Sequence, residues 1–379
     1  MLMPAAGLRG NEKNMNAELL KLSSQEQAEL LNISPDYVRI SMAAAIELGL
    51  KPGRIHGCGC GCINLLQNYP EGCFANCSYC GLARERPGLA EENSFIRVDW
   101  PLFSTDLIAE KIAEKEAENT VGRVCISQVQ DHRANDDLVG ITRKVHTAAP
   151  EVPLSGLVNA TTMTVPLLEQ LKTEGIDVIG YGLDAVTEEL FIKTRGKDTG
   201  GPHDWDYHWE MVHAARKIYG PMNVNCHLIV GLGETDRDLV DMFYRLKSDE
   251  IAGYLFSFNP ETGTALQHQT RQPIKRHRQV QLAKFLIEER NVKPDVFQFD
   301  ENGFISSIES EEELIQNTID EGLPFMTNGC PDREGVMACN RPYGSYRPGE
   351  EFRDYPFKPS GDELKIIRDQ MQLNSHLGI

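Results

Sequence analysis

The 379-residue chain predicts an α/β fold of (βα)6 type, a full or partial barrel with helices before it and an irregular extension after it. Three observations predict this. Between residues 62 and 291, short apolar runs alternate six times with longer segments of helical character, the pattern of a parallel sheet with helices outside. Strand–helix–strand crossovers are right-handed, which favours curling such units into a barrel. Beyond residue 292 the alternation stops in a tract rich in Pro, Gly, Asp and Arg. Hydrophobic residues at 41% and charged residues at 25% suit a globular core. A net charge of −18 argues against a nucleic-acid binder. No apolar run reaches the ~18 residues of a membrane span, and the first residues lack a signal peptide's apolar core. The expected location is the cytoplasm.

Residues 1–14 read as disordered, and 15–61 as a helical N-terminal region. It holds an amphipathic helix over 15–31 and a second helix that Ser34 caps, Pro35 starts and Gly49 ends. The barrel, 62–291, opens with a strand at 62–69. The helix 106–119 places Ile108 and Ile112 one turn apart. Strand 123–130 precedes helix 136–148, and strand 153–159 precedes helix 165–175. Strand 178–185 is followed by helices across 187–219, in which Trp205 and Trp209 pack at i,i+4. Strand 223–231 leads into helix 235–249, and strand 253–260 into helix 274–291. The extension, 292–379, folds over one barrel mouth and carries two further cysteines.

Ten cysteines in a chain expected to stay reduced suggest metal ligation rather than disulfides. Six lie between Cys58 and Cys80, and two, Cys330 and Cys339, near the C-terminus. Cys73, Cys77 and Cys80 form a C-x3-C-x2-C group in GCFANCSYCG. Three close thiolates suit three irons of a [4Fe–4S] cube, leaving the fourth iron open. Structural zinc uses four ligands in paired units, a poorer match.

That group resembles the radical S-adenosylmethionine (SAM) superfamily. The resemblance implies a [4Fe–4S] cluster whose open iron is chelated by SAM, and reductive cleavage of SAM to a 5′-deoxyadenosyl radical. It places Tyr79 near the adenine and calls for an electron donor of flavodoxin or ferredoxin type. Within the biotin-synthase-like branch, an acid at the end of the fourth strand binds ribose, which points to Asp184; a helix cap is the alternative. HLIVGLGET resembles that branch's adenine-binding strand and turn, which implicates His227, Gly231, Gly233 and Glu234. Glu234 also reads as a first-turn acid of the next helix.

Stretches such as EGCFANCSYCGLAR, LIVGLGETDRDLV and PFMTNGCPDREGVMACNRPY are similar to the biotin-synthase-related subunit of two-component lipoyl synthases. This implies sulfur insertion at unactivated carbons of an acyl chain, a second radical SAM subunit, an acyl-carrying lipoyl domain, and an auxiliary iron–sulfur cluster as sulfur source. Cys125 matches a barrel-facing auxiliary ligand of biotin synthase. Strand parity turns Asn225 and His227 inward and Cys226 outward into the core. Cys330 and Cys339 are further candidates, although PDREGVMA separates them where the subfamily has a tight CPGC. Of Cys58, Cys60 and Cys62, at least one is expected to ligate, and Cys62 is the candidate carried forward. Other candidates for anion or substrate contact are Arg84, His132, Arg133, Arg341 and Arg347, each with an equal claim to a surface or structural role. Two further functions fit the motifs. One is radical oxidation or rearrangement of another substrate, such as a pigment methyl group or metallocofactor precursor. The other is a non-catalytic iron–sulfur scaffold, against which Asp184 and the GLGET turn argue.

Overall fold

A computed structural model of the protein describes residues 32–55, 61–88, 98–341, 344–347 and 349–372. The expected disorder at 1–14, the helix at 15–31, and Cys58 and Cys60 lie outside the described residues. Six parallel strands form the body of one sheet: β2 (Cys62–Gln67), β4 (Arg123–Ser127), β5 (Leu154–Val158), β6 (Ile176–Asp184), β7 (Val224–Val230) and β8 (Ala252–Ser257). They pair in chain order. The outer layer is α2 (Thr105–Ala117), α3 (Ala134–Ala148), α4 (Val165–Thr173), α5 (Glu188–Thr194), α6 (Trp205–Tyr219), α7 (Asp236–Ser248) and α8 (Ile274–Arg290). Side chains of Ser104, Thr164, Thr187, Asp204 and Thr235 cap five of these helices, so the starts follow from short polar residues placed just ahead of apolar turns. Trp205 and Trp209 pack edge-to-face at 5.8 Å.

The sheet differs from the expectation at its first edge. The helix expected from Ser34 and Pro35 is instead β1 (Tyr37–Ile40), paired antiparallel to β2 and to β3 (Leu102–Ser104). A short helix, α1 (Met42–Glu47), follows and is capped by Ser41 rather than Ser34. The alternating Tyr-Val-Arg-Ile run suits a pleated strand, and the open edge of β2 supplies backbone partners that a helix would leave unused. Among the described residues the order β3-β1-β2-β4-β5-β6-β7-β8 has no pairing between β8 and the first edge, so the barrel is partial. The C-terminal extension is irregular, as expected, with a few short elements set in it. It holds the hairpin β9 (Phe297–Phe299) and β10 (Ile305–Ile308), then α9 (Glu312–Glu321) and α10 (Gly361–Gln370).

Strand parity divides the core in two. Val124, Ile126, Ile179, Tyr181, Val224, Cys226 and Leu228 face the helices in the main apolar cluster. Cys62, Cys125, Val178, Tyr254 and Phe256 face the barrel interior and form a second buried cluster with Cys330 and Cys339.

Candidate active site

At the C-terminal ends of the strands lies a cavity of about 220 Å³. This is the end at which strand-to-helix loops build sites in such folds. The loop after β2 supplies Cys73, Cys77 and Cys80, and all three line the cavity. The loop is pinned from two sides. The Phe74 amide donates to the Gln130 carbonyl at 2.8 Å, and the Ser78 amide and hydroxyl both donate to the Thr194 carbonyl at 2.8 and 3.0 Å. Burial pushes Cys77 up to about 12, with the charge of Arg195 working against it. Burial also raises Cys80, and charge on Cys77 and Cys73 would raise it further. Such thiols stay protonated until a cation displaces the proton.

Across the cavity, Tyr79 donates from its hydroxyl to Asp184 Oδ2 at 2.5 Å. Asp184 ends β6 with φ +63°, beside an irregularity in the β6–β7 register. Aspartate is among the non-glycine residues that enter the left-handed region at least cost. Arg195, just after α5, donates to Asp184 Oδ2 at 2.8 Å and to the Gly182 carbonyl, and lies 5.1 Å over the Phe191 ring. Burial disfavours its charge, but Tyr79, Asp184 and the loop cysteines more than offset this and raise its pKa. His203 also lines the cavity and bonds Thr161 Oγ1 at 2.6 Å. Burial, then Arg195, drives it down to about 2, so it is neutral. His227 faces the cavity and is held neutral by burial and by Arg341.

The rest of the turn after β7 lies apart from His227. Gly231, Gly233 and Glu234 do not line this cavity. The glycines have φ +108° and +138° and turn the chain away. Glu234 accepts from the amides of Gly231, Leu232 and Gly233 at 2.7, 3.0 and 3.1 Å, and from Arg276 at 2.9 Å. All its capacity goes to bracing the turn. The β7 residue that reaches the cavity beside His227 is Ile229, two positions on and of the same parity.

Four more thiols meet deeper in the barrel. Cys62 starts β2, Cys125 lies on β4, and Cys330 and Cys339 come from the extension. Asn64 Oδ1 is 3.8 Å from Cys62 Sγ and 4.0 Å from Cys339 Sγ, and Asn225 Nδ2 is 3.7 Å from Cys330 Sγ. The PDREGVMA insertion does not separate the two late cysteines. It projects as a hairpin, with a Pro331–Met337 bridge, and the amides of Ala338 and Cys339 both donate to the Cys330 carbonyl at 3.1 and 3.2 Å. A hydrogen bond from Cys62, then Arg341, draws the Cys339 thiol down to about 6. Burial, then charge on Cys339, pushes Cys330 up to about 12. Leu157, Ile229 and Phe256 line the cavity and also pack against this thiol cluster, so one layer of side chains separates the two sites.

Residues 68–246 match the family model described as the radical SAM superfamily. The chain carries a radical SAM domain. The family implies a [4Fe–4S] cluster and SAM, and radical SAM enzymes need an electron donor. Among curated proteins, an uncharacterised protein of Methanocaldococcus jannaschii is 25% identical over 201 residues, covering 52% of this chain and 49% of that one. The biotin synthase of Persephonella marina is 21% identical over 228 residues, covering 59% and 60%. The chain thus spans about half to three-fifths of the length of these relatives. Two similar solved structures are methylornithine synthase (15% identity, TM-score 0.46, 72% and 71% covered) and the FeFe-hydrogenase maturase of Carboxydothermus hydrogenoformans (15%, 0.45, 82% and 66%). Among the described residues, no helix is long and apolar enough to cross a membrane.

The other sequence candidates separate. Arg341 lines the cavity, whereas Arg347 bonds the Pro260 carbonyl at 3.0 Å and Glu261 at 3.4 Å beside it. Arg84 is exposed and bonds the Phe74 and Gly200 carbonyls, Arg133 pairs with Asp131 and Glu71, and the His132 side chain is 72% exposed. Cys226 is buried in the main core. Sequence reasoning missed Arg195, His203, Ile229 and Phe256. Parity from His227 would have found Ile229, but no spacing singles out Arg195.

Proposed function

We propose that the protein is a radical SAM enzyme of sulfur-inserting, lipoyl-synthase-like type, with Cys73, Cys77 and Cys80 holding the SAM cluster and Cys62, Cys125, Cys330 and Cys339 an auxiliary one. One observation carries this reading: a second set of four buried thiols lies one side chain behind the wall of the cavity that the first three line. The residue types suit the groups, although among the described residues no three of these side chains already stand in metal-holding geometry. Three thiols on one pinned loop leave a coordination position for a ligand, and four thiols among amide and hydroxyl side chains suit a closed cluster with hydrogen bonds to sulfur. When bound, a [4Fe–4S] cluster and SAM supply a carbon-centred radical able to take hydrogen from an unactivated carbon, and a second cluster supplies sulfide.

The chain's own residues hold and orient. Asp184 accepts from Tyr79 and Arg195 on one oxygen, Oδ2, which leaves its other oxygen for a ribose hydroxyl. Tyr79 and Ile229 offer apolar faces for a purine. Neutral His203 and His227 add hydrogen-bonding capacity without charge. Leu157, Ile229 and Phe256 exclude water from the space facing the thiols and suit an aliphatic substrate. The octanoyl chain, the lipoyl-domain carrier, the second subunit and a flavodoxin- or ferredoxin-type donor belong to this reading.

The test is anaerobic reconstitution of the wild type and of the Cys73→Ala/Cys77→Ala/Cys80→Ala variant. Iron and sulfide are counted, SAM cleavage is measured with dithionite, and the wild type is then incubated with an octanoylated lipoyl-domain protein. Iron retained by the triple variant, cleavage confined to the wild type, and sulfur in the product are expected. A triple variant that binds no iron removes the auxiliary site, and cleavage without sulfur in the product removes sulfur insertion.

A further inference from the structure

Strands do not close the whole barrel wall. Among the described residues β8 pairs only with β7, and β2 carries β1 and then β3 on its other side. Loops close the remaining seam beside the cavity. The loop after β2 meets the loop after β8 through the Leu266 amide, which donates to the Ser78 carbonyl at 2.9 Å, and through Arg86 Nε, which donates to the Thr262 carbonyl at 3.0 Å. Glu261 sits in this seam, 8% exposed and part of the cavity wall. Its Oε1 lies 3.8 Å from Arg86 of the first loop, and its Oε2 lies 3.4 Å from Arg347 of the extension. Arg347 also donates to the Pro260 carbonyl at 3.0 Å. One carboxylate therefore clasps three segments at the edge of the cavity. Tight charge-assisted hydrogen bonds measure roughly 2.7–2.9 Å. Both contacts of Glu261 are longer, and the Arg347 side chain is 38% exposed, so the clasp is loose. The turn that carries it is closed on itself. The Thr264 amide and hydroxyl donate to the Glu261 carbonyl at 3.2 and 2.7 Å, and the Gly263 amide donates to Gln267 Oε1 at 3.1 Å. Such a turn moves as a unit.

We propose that this seam is the route by which substrate enters the cavity, and that Glu261 is its latch. The cavity holds about 220 Å³. Pockets for ligands of drug size start at about 300 Å³, so a nucleoside cofactor and a second molecule need the wall to yield. Most of the wall is fixed. Leu66, Leu157 and Ile229 lie on β2, β5 and β7, each flanked by a paired strand on both sides. Side chains and single backbone bonds hold the seam, which makes it the part that opens at least cost. Opening parts Arg86 from Glu261, while Arg347 travels with the loop after β8 through its bond to Pro260. Such a slot admits an aliphatic chain on the flexible arm of a carrier protein and keeps the carrier itself outside. That choice of substrate rests on the sulfur-insertion reading above, whereas the latch does not.

The experiment labels thiols in the full metal-free chain, so its readout needs neither cluster nor turnover. Wild type, Glu261→Gln and, as a surface-pair control, Arg143→Gln are treated with iodoacetamide or with a maleimide on a long polyethylene glycol arm. Peptide mass spectrometry gives the rate at each cysteine. Cys77 and Cys80 report the cavity, and Cys226, fully buried in the main core, reports opening of the whole barrel. Glu261→Gln is expected to raise the maleimide rate at Cys77 and Cys80 relative to the iodoacetamide rate, by up to about fivefold for the loss of loose ion pairs. Cys226 stays unchanged, and Arg143→Gln, which breaks an exposed pair with Glu174, behaves like the wild type. Taking the ratio of the two reagents cancels any change in thiol reactivity. Equal ratios in Glu261→Gln and wild type overturn the latch, and a matching rise at Cys226 overturns it in favour of general loosening. A raised ratio with no sulfur in the product of the reconstituted enzyme supports the latch and overturns the acyl-arm substrate alone.

Discussion

Gly329→Ala tests the geometry that brings the late cysteines together. A Cβ at Gly329 would stand 2.8 Å from both the carbonyl carbon and the Cβ of Cys339, with the carbonyl oxygen nearer still. Ordinary contact for such a carbon begins at 3.4 Å, so the Cys339 backbone has to retreat by at least 0.6 Å. Rotamer changes give no relief, because the obstructing atoms are backbone and Cβ. Metal–sulfur distances tolerate only about ±0.2 Å, so this retreat should weaken any ligand set in which Cys339 joins the other three thiols. The stability cost is that of local overpacking, about 1–3 kcal/mol, small enough to leave the barrel folded. In the triple-alanine background, iron per chain after reconstitution should fall for Gly329→Ala as it does for Cys339→Ala. Gly361→Ala, where nothing lies within 4 Å, should load like the parent. Full loading of Gly329→Ala, with an unchanged absorption spectrum, would refute the placement of Cys339 among the ligands.

Three further outcomes follow from the same geometry. Arg195→Leu strands the Asp184 carboxylate beside Tyr79 and Cys77, and should cost about 3–5 kcal/mol in urea denaturation, the loss typical of breaking a buried pair; SAM binding should weaken in parallel, and an unchanged denaturation midpoint would contradict the pairing. His203, His208 and His277 are all lowered from 6.5, first by burial and, for His203, to about 2. For His203 and His208 the unfolded forms take up protons below 6.5 while the folded forms do not, so stability falls as pH falls through 6.5, with a slope that approaches about 1.4 kcal/mol per pH unit for each, or about 2.8 for the two; denaturation midpoints at pH 6.5, 6 and 5.5 measure the slope. Stripping metal from the reconstituted protein with a chelator should open a cut after Arg341 by clostripain, which accepts a following proline, and equal protection in the metal-free protein would separate the strap's order from the thiols' occupancy.

The six strand–helix units were legible because their apolar runs and capping residues agree. Parity correctly separated Cys226 from its neighbours Asn225 and His227 on β7. What escaped depends on long-range partners. The Tyr-Val-Arg-Ile run is a strand because β2 offers it a free edge, and local propensity could not reveal that edge. Arg195 reaches Asp184 across a turn of α5 with no periodic signal. Glu234 was expected to touch the nucleoside because its motif does so as a unit, but a carboxylate beside three free amides bonds them first. The spacing of Cys330 and Cys339 was misleading for a different reason: sequence distance counts the residues of a hairpin that contributes nothing to the distance between its ends.

That hairpin shows which constraints act on the extension. Asp332 caps its tip by accepting from the amides of Glu334 and Val336, and Val336 is 60% exposed, so the tip is free to vary in length and composition. Its base is not free. Gly329 packs against Cys339, Gly61 against Ala338, and the Pro331 carbonyl accepts from Arg123 of β4. The base then continues into Arg341 and Gly344, both in the cavity wall, and a Cβ at Gly344 would strike the Phe256 ring at 2.5 Å. One short strap therefore supplies half of the inner thiols and part of the wall that separates them from the cavity. A change that loosens the strap acts on both sites together, whereas a change in the loop after β2 acts on one. The coupling runs through Phe256, which lines the cavity, packs in the thiol cluster and carries Arg341 over its ring.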